Sequence, residues 1–180
     1  TEQRGLLNLR TTPDALPTIL EKKNVDMLTT HKVFSVAEIQ SRYEITLENY
    51  CKSVNIEALT MVDMARKEIL PAVEAYVRDL SDTLRAKKAA VPGAAAKYET
   101  GLIARLSALT DEIDDAAAAL ERAMIQYKAI GDITEAANMI RDVILQKMAE
   151  LRVPCDEAET LTAEKYWPFP TYGDLLFGVR

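Results

Sequence analysis

The run YETGLIARLSALTDEIDDAAAALERAMIQY, residues 98–127, decides the fold. Apolar side chains recur at Tyr98, Leu102, Leu106, Leu109, Ile113, Ala116, Leu120, Ala123 and Tyr127, in steps that settle into alternating threes and fours. That spacing lays one stripe along a helix with a period near 3.5, which lets two helices lie side by side with interleaved side chains. A strand would alternate every second residue, and nothing in the run does. The acids Asp111, Glu112, Asp114 and Asp115 fall off the stripe and point in different directions, so they read as a solvated face, not as a calcium site. The alanines from Ala116 to Ala119 suit close approach of a neighbouring helix.

Working outward toward the N-terminus, Val91-Pro92-Gly93 separates this run from an earlier apolar series that starts at a capping box. In that box Ser35 and Glu38 satisfy each other's unpaired helix-end N–H groups. From Val36 to about Ala90 the sole helix breaker is Pro71, so one long helix is predicted, kinked or broken near residues 67–71. The nearest partner for the 98–127 stripe is the half of this helix after Pro71, folded back as an antiparallel hairpin. Further upstream, Thr12-Pro13-Asp14 reads as a hydroxyl cap, a proline at the first helical position and an acid in the first turn. A helix over about 13–31 follows, preceded by an N-terminal arm, residues 1–12. Toward the C-terminus Gly131 ends one helix, Asp132 caps the next, and Pro154 is expected to close it. Nothing reads as a strand. The fold class is all-α: an antiparallel helical bundle over 13–153 with a long coiled-coil-like hairpin, then an extended C-terminal tail over 154–180.

The tail concentrates the aromatic chemistry. It holds the only Trp, and Pro168 and Pro170 exclude helix there, so Trp167 to Thr171 should run extended with Trp167 and Phe169 on one side. Burial of Trp167, Phe169, Tyr172, Leu175 and Phe177 would contribute several kcal/mol, at about 25 cal/mol per Å², only where an apolar groove receives them. Two destinations fit: a strap across this chain's own helices, or a strap across a neighbouring domain or subunit.

Composition narrows the function. A net charge of −6 and a pI near 5.0 argue against nucleic acid or an anionic membrane surface as main partner. The short basic run from Arg85 to Lys88 precedes Pro92-Gly93, where cations face the negative end of a helix. Cys51 and Cys155 stand far apart with no Cys-x-x-Cys spacing, which removes zinc and thioredoxin readings and points to a reduced, cytoplasmic compartment. No apolar run approaches the roughly 18 residues a membrane span needs. A start at Thr1 in place of Met suggests a processed or excised fragment.

Catalytic patterns are wanting. His31 is the sole histidine, near a predicted helix end where imidazoles commonly interact with carbonyls, and Leu28 stands where a Glu-x-x-His motif would need its acid. The glycines at 5, 93, 101, 131, 173 and 178 form neither a dinucleotide fingerprint nor a phosphate loop. Glu57 and Asp63 interrupt an otherwise apolar stretch flanked by Met61 and Met64, and Asn55 and Glu57 suggest a buried polar network or a contact with another domain.

Three stretches together resemble one family. RYEITLENYCKSVNIEALTMVDMA at 42–65 with ILPA at 69–72 is similar to the C-terminal helical region of type III glutamine synthetases. YWPFPTYGDLLF at 166–177 looks like the terminus of those enzymes, and RGLLNLRTTPDAL at 4–16 like the segment by which that region leaves the catalytic domain. The resemblance implies a parent that condenses glutamate and ammonia at the expense of ATP, through a γ-glutamyl phosphate, with magnesium or similar ions held by carboxylates upstream of this chain. It therefore implies no catalytic, cofactor-binding or metal-binding residue here. The partners it implies are the chain's own catalytic domain and identical subunits in a homo-oligomer of hexameric rings, with a role in subunit packing and oligomer stability. The competing expectation is a free-standing helical interaction module that binds a partner through its hairpin.

Overall fold

The computed structural model describes residues 4–5, 7–170 and 172–178, with the side chain of Tyr172 excepted. The chain is all-α, with no strand among the described residues. In chain order the elements are α1 (Thr12–Ala15), a 3₁₀ turn (Leu16–Leu20), α2 (Lys22–Thr30), α3 (Val36–Met64), a π-helical turn (Ala65–Ile69) and α4 (Leu70–Ala90). There follow α5 (Lys97–Lys128), α6 (Ile133–Met139), a second π-helical turn (Ile140–Ile144), α7 (Leu145–Leu161) and α8 (Tyr172–Phe177).

The helix starts follow the local chemistry. The capping box forms: the Ser35 N–H donates to Glu38 Oε2 at 2.7 Å, and the Glu38 N–H donates to Ser35 Oγ at 3.3 Å. Asp132 accepts from the Glu135 N–H at 2.8 Å and caps α6. The first cap is Thr11, one residue earlier than the sequence suggests, with Pro13 in the first turn. The helix expected over 13–31 is divided, because Pro17 lacks an N–H and the backbone tightens to 3₁₀ before Glu21 turns extended (φ −61°, ψ 137°) and α2 restarts. α2 ends at His31 with Lys32 left-handed (φ 54°); the Val33 N–H reaches the Leu28 carbonyl at 2.9 Å, and the Lys32 N–H that of Thr29 at 3.0 Å. Those two bonds satisfy carbonyls that a helix end otherwise leaves open.

Pro71 neither breaks the long helix nor leaves it regular. Its missing N–H and its ring crowd the preceding turn, and the backbone widens into the π-turn, where the Leu70 N–H bonds the Ala65 carbonyl five residues back. Helical backbone thus continues from Val36 to Ala90. Pro154 behaves differently from the expectation that it closes an element: α7 runs through it to Leu161. Pro154 is itself buried, so packing holds the turn that its ring disfavours. The tail read as extended over 154–180 is accordingly helical to Leu161 and again in α8.

The span read as one bundle is shared between two compact units, residues 1–58 with 122–146 and residues 59–121 with 147–180. In the first unit Ile39, Tyr43, Leu47 and Cys51 of α3 are buried, as are Ala137, Ile140 and Ile144. The Arg141 guanidinium donates to Asp14 at 2.6 Å, and the hydroxyls of Tyr43 and Thr134 meet at 3.3 Å. In the second unit Val73 joins Leu106, Leu109, Ile113, Ala117 and Leu120 of α5, all fully buried. Ala117 takes the place expected of Ala116. Lys87 pairs with Glu99, while Arg66 reaches Glu121 at 2.7 Å, so the paired positions run in opposite chain directions. Arg105 of α5 holds Glu157 of α7 through two bonds of 2.5 Å and Glu112 through one of 2.8 Å.

Candidate functional site

Trp167, Phe169 and Leu175, from the stretch that the sequence marks as a docking tail, line one groove with Met61 and Met64 in the second unit. After α7 the chain makes a short turn in which the Tyr166 N–H donates to the Ala163 carbonyl at 2.8 Å and the Trp167 N–H to that of Glu164 at 3.1 Å. This turn points Tyr166 at α4. Its ring lies 5.2 Å from that of Tyr76, and its hydroxyl donates to Asp79 Oδ2 at 2.9 Å. Lys165 Nζ reaches the same oxygen at 3.4 Å and sits 4.6 Å from the Tyr166 ring. The Tyr166 hydroxyl first, and Lys165 second, hold the Asp79 carboxyl below its ordinary range.

From that anchor Pro168 and Pro170 carry the chain onward without helix, as expected, and Trp167 and Phe169 come together edge to face, with centroids 6.1 Å apart and planes at 75°. Both are partly buried and wall a groove of about 390 Å³. Met61, Met64 and Ile69 supply its apolar side, while Cys155, Asp156 and Glu159 come from α7. Of the two destinations for the tail, the strap across its own helices is the one observed for Trp167 and Phe169. Trp167 Nε1 is buried without an acceptor, so the ring is held by packing alone.

Beyond Pro170 the described apolar side chains of α8 are not covered. Leu175, Leu176 and Phe177 of α8 are 69%, 70% and 80% exposed, although Leu175 borders the groove. Tyr172, expected among the docked residues, has a side chain outside the described residues. The sequence did not mark Asp79, Glu159 or the Arg105–Glu157 pair. Asp79 stands three residues after Tyr76, so both lie on one helix face, and that spacing is the signal that could have found the anchor.

His31 caps α2 through its backbone N–H, which donates to the Met27 carbonyl at 3.1 Å. Glu57 is exposed, so the buried network proposed around it does not form, and Asn55 Oδ1 is buried with no partner. Both cysteines are free and buried; burial pushes the Cys155 thiol up to about 11 and raises that of Cys51, whose sulfur meets the Tyr127 hydroxyl. Thiols so raised are poor nucleophiles at neutral pH. Among the described residues no three His, Cys, Asp or Glu side chains gather to hold a metal ion, and no helix is long and apolar enough to cross a membrane.

The family described as "Glutamine synthetase C-terminal domain" matches residues 1–88. A glutamine synthetase from Butyrivibrio fibrisolvens is 39% identical over 178 residues, covering 99% of this chain and 25% of that protein. The type-3 glutamine synthetase of Dictyostelium discoideum is 27% identical over 180 residues (98% and 24%). A glutamine synthetase of Bacteroides fragilis (strain YCH46) is 26% identical over 182 residues (97% and 25%). The chain thus spans about a quarter of the length of the curated relatives it matches. It belongs to the glutamine synthetase C-terminal domain family, with a likeness to the type-3 enzymes.

Proposed function

We propose that this chain is a non-catalytic packing domain: in the parent polypeptide it binds the catalytic part and identical neighbouring subunits and stabilises a homo-oligomer built of hexameric rings. The observation that carries this reading is the uncovered end of the tail. Three consecutive apolar side chains, Leu175, Leu176 and Phe177, stand in solvent on a helix whose preceding residues are tightly anchored. Full burial of each would contribute about 1.5–3 kcal/mol, so a partner surface outside this chain would gain substantially by covering them. Relatives about four times as long supply the natural source of that surface.

The parent would make glutamine from glutamate and ammonia, with ATP and magnesium, in the cytoplasm. The residues of this chain do not fit either cofactor: its acids do not cluster for a metal among the described residues, and its glycines form no phosphate loop. Those groups belong to the part of the parent that precedes this domain. The unpaired, buried cysteines accord with a reducing compartment.

The test replaces Leu175, Leu176 and Phe177 together by Ser in the full-length parent and measures molar mass by light scattering alongside glutamine formation. Dissociation into smaller species with a parallel loss of activity is expected. An unchanged mass would overturn the packing role, and glutamine made by the isolated 180-residue chain from glutamate, ammonia, ATP and magnesium would overturn the non-catalytic one.

A further inference from the structure

We propose that the groove under Trp167 binds a small alkylated ammonium cation. Its volume, about 390 Å³, lies in the range of roughly 300–1,000 Å³ typical of small-molecule sites. Trp167 and Phe169, packed edge to face at 75°, both line it, and an aromatic ring is electron-rich on its face. A ring face attracts a cation that approaches within about 6 Å of the ring centre. The thioethers of Met61 and Met64 line the same groove, and their polarisable sulfur atoms and methyl groups suit alkyl substituents.

The charge at the rim selects the sign of the ligand. Arg152 donates from Nε to Asp156 Oδ2 at 3.1 Å, and the two neutralise each other. Glu159, three residues further along α7, has no ion-pair partner among the described residues. Among the described residues the groove therefore carries one negative charge without an ion-pair partner, beside its aromatic rings. A metal ion or plain ammonium holds its water too strongly to enter an apolar pocket with a single carboxylate. An alkylated ammonium is weakly hydrated and brings methyl groups for the methionine and aromatic walls, which makes it the cation these surfaces favour.

Trp167 is the only tryptophan, so its fluorescence reports the groove directly. Choline would be titrated into the 180-residue chain against matched sodium chloride, and in parallel with dimethylbutanol, the neutral isostere in which a tert-butyl group replaces trimethylammonium. A saturable change in emission is expected, with choline bound roughly tenfold more tightly than the isostere. Glu159→Gln should weaken choline roughly fivefold and leave the isostere unchanged, the scale of one partly shielded ion pair. Phe169→Leu should erode the preference for choline while filling similar volume. Glu159 lies partly exposed on α7, and circular dichroism melting checks that both variants keep the fold. No saturation with choline, equal curves for choline and its isostere, or an unchanged choline affinity in Glu159→Gln would each overturn the proposal.

Discussion

Replacement of Trp167 by Ala tests whether the tail is part of the folded core of its unit. Trp167 is partly buried against Phe169 and the methionines, and aromatic side chains of this size commonly bury about 150–250 Å². Loss of about 150 Å² of apolar contact at about 25 cal/mol per Å² costs about 4 kcal/mol. The groove is already open to water on one side, so solvent fills the vacated space and the sealed-cavity penalty does not apply in full. The expected loss is therefore about 4 kcal/mol. In urea, with slopes of about 1–3 kcal/mol per molar, that displaces the unfolding midpoint by about 1–4 M, read by circular dichroism on the 180-residue chain. The matched control is Leu176→Ala, at 70% exposure, where a change within about 0.5 kcal/mol is expected. A Trp167→Ala loss below about 1 kcal/mol, or equal to the Leu176 control, would refute the strap, because the ring would then contribute no more than an ordinary surface side chain.

Acid should weaken the second unit in a defined direction. Arg105 lowers the carboxyl of Glu157, Lys87 lowers that of Glu99, and Tyr166 with Lys165 lowers that of Asp79. Groups lowered on folding contribute stability that is present above their unfolded values near 4 and is lost as pH falls through the lower folded values. The melting temperature should hold from neutral pH to about 5 and then drop, with a shallower drop in Arg105→Gln; a pH-independent melt contradicts these ion pairs. Lys32→Gly should raise stability by about 0.5–1 kcal/mol, since a left-handed residue at a helix end suits glycine. A decrease on chemical denaturation would show that the Lys32 side chain contributes more than its backbone strain costs.

The legible parts of this fold were those set by neighbours in sequence. The capping box at Ser35 and Glu38, the cap at Asp132 and the uninterrupted periodicity of residues 98–127 each specify helix through contacts a few residues apart. The structure follows all three. The prolines were harder. Pro17 divides a predicted helix, Pro71 is absorbed by a π-turn, and Pro154 sits inside α7, three outcomes for one residue type. Proline's local cost of about 3 kcal/mol is comparable to what one buried side chain returns, so packing decides each case.

The candidate site shows the same division. The sequence identifies Trp167 and Phe169 as side chains in need of a groove and Met61 and Met64 as apolar positions without an assigned partner, but it does not join them across the long stretch of chain between. Nor does it reveal that Tyr166 is anchored on Asp79, because that bond depends on the direction of a turn after α7. By itself the sequence determined helical class, most helix limits and membership of the family, since periodicity, caps and local motifs are properties of the chain alone. Only the tertiary structure decided which side chains meet at the groove, that Glu159 there has no ion-pair partner among the described residues, and that Leu175, Leu176 and Phe177 stay in water. Those facts depend on surfaces brought together by folding, and no spacing along the chain encodes them.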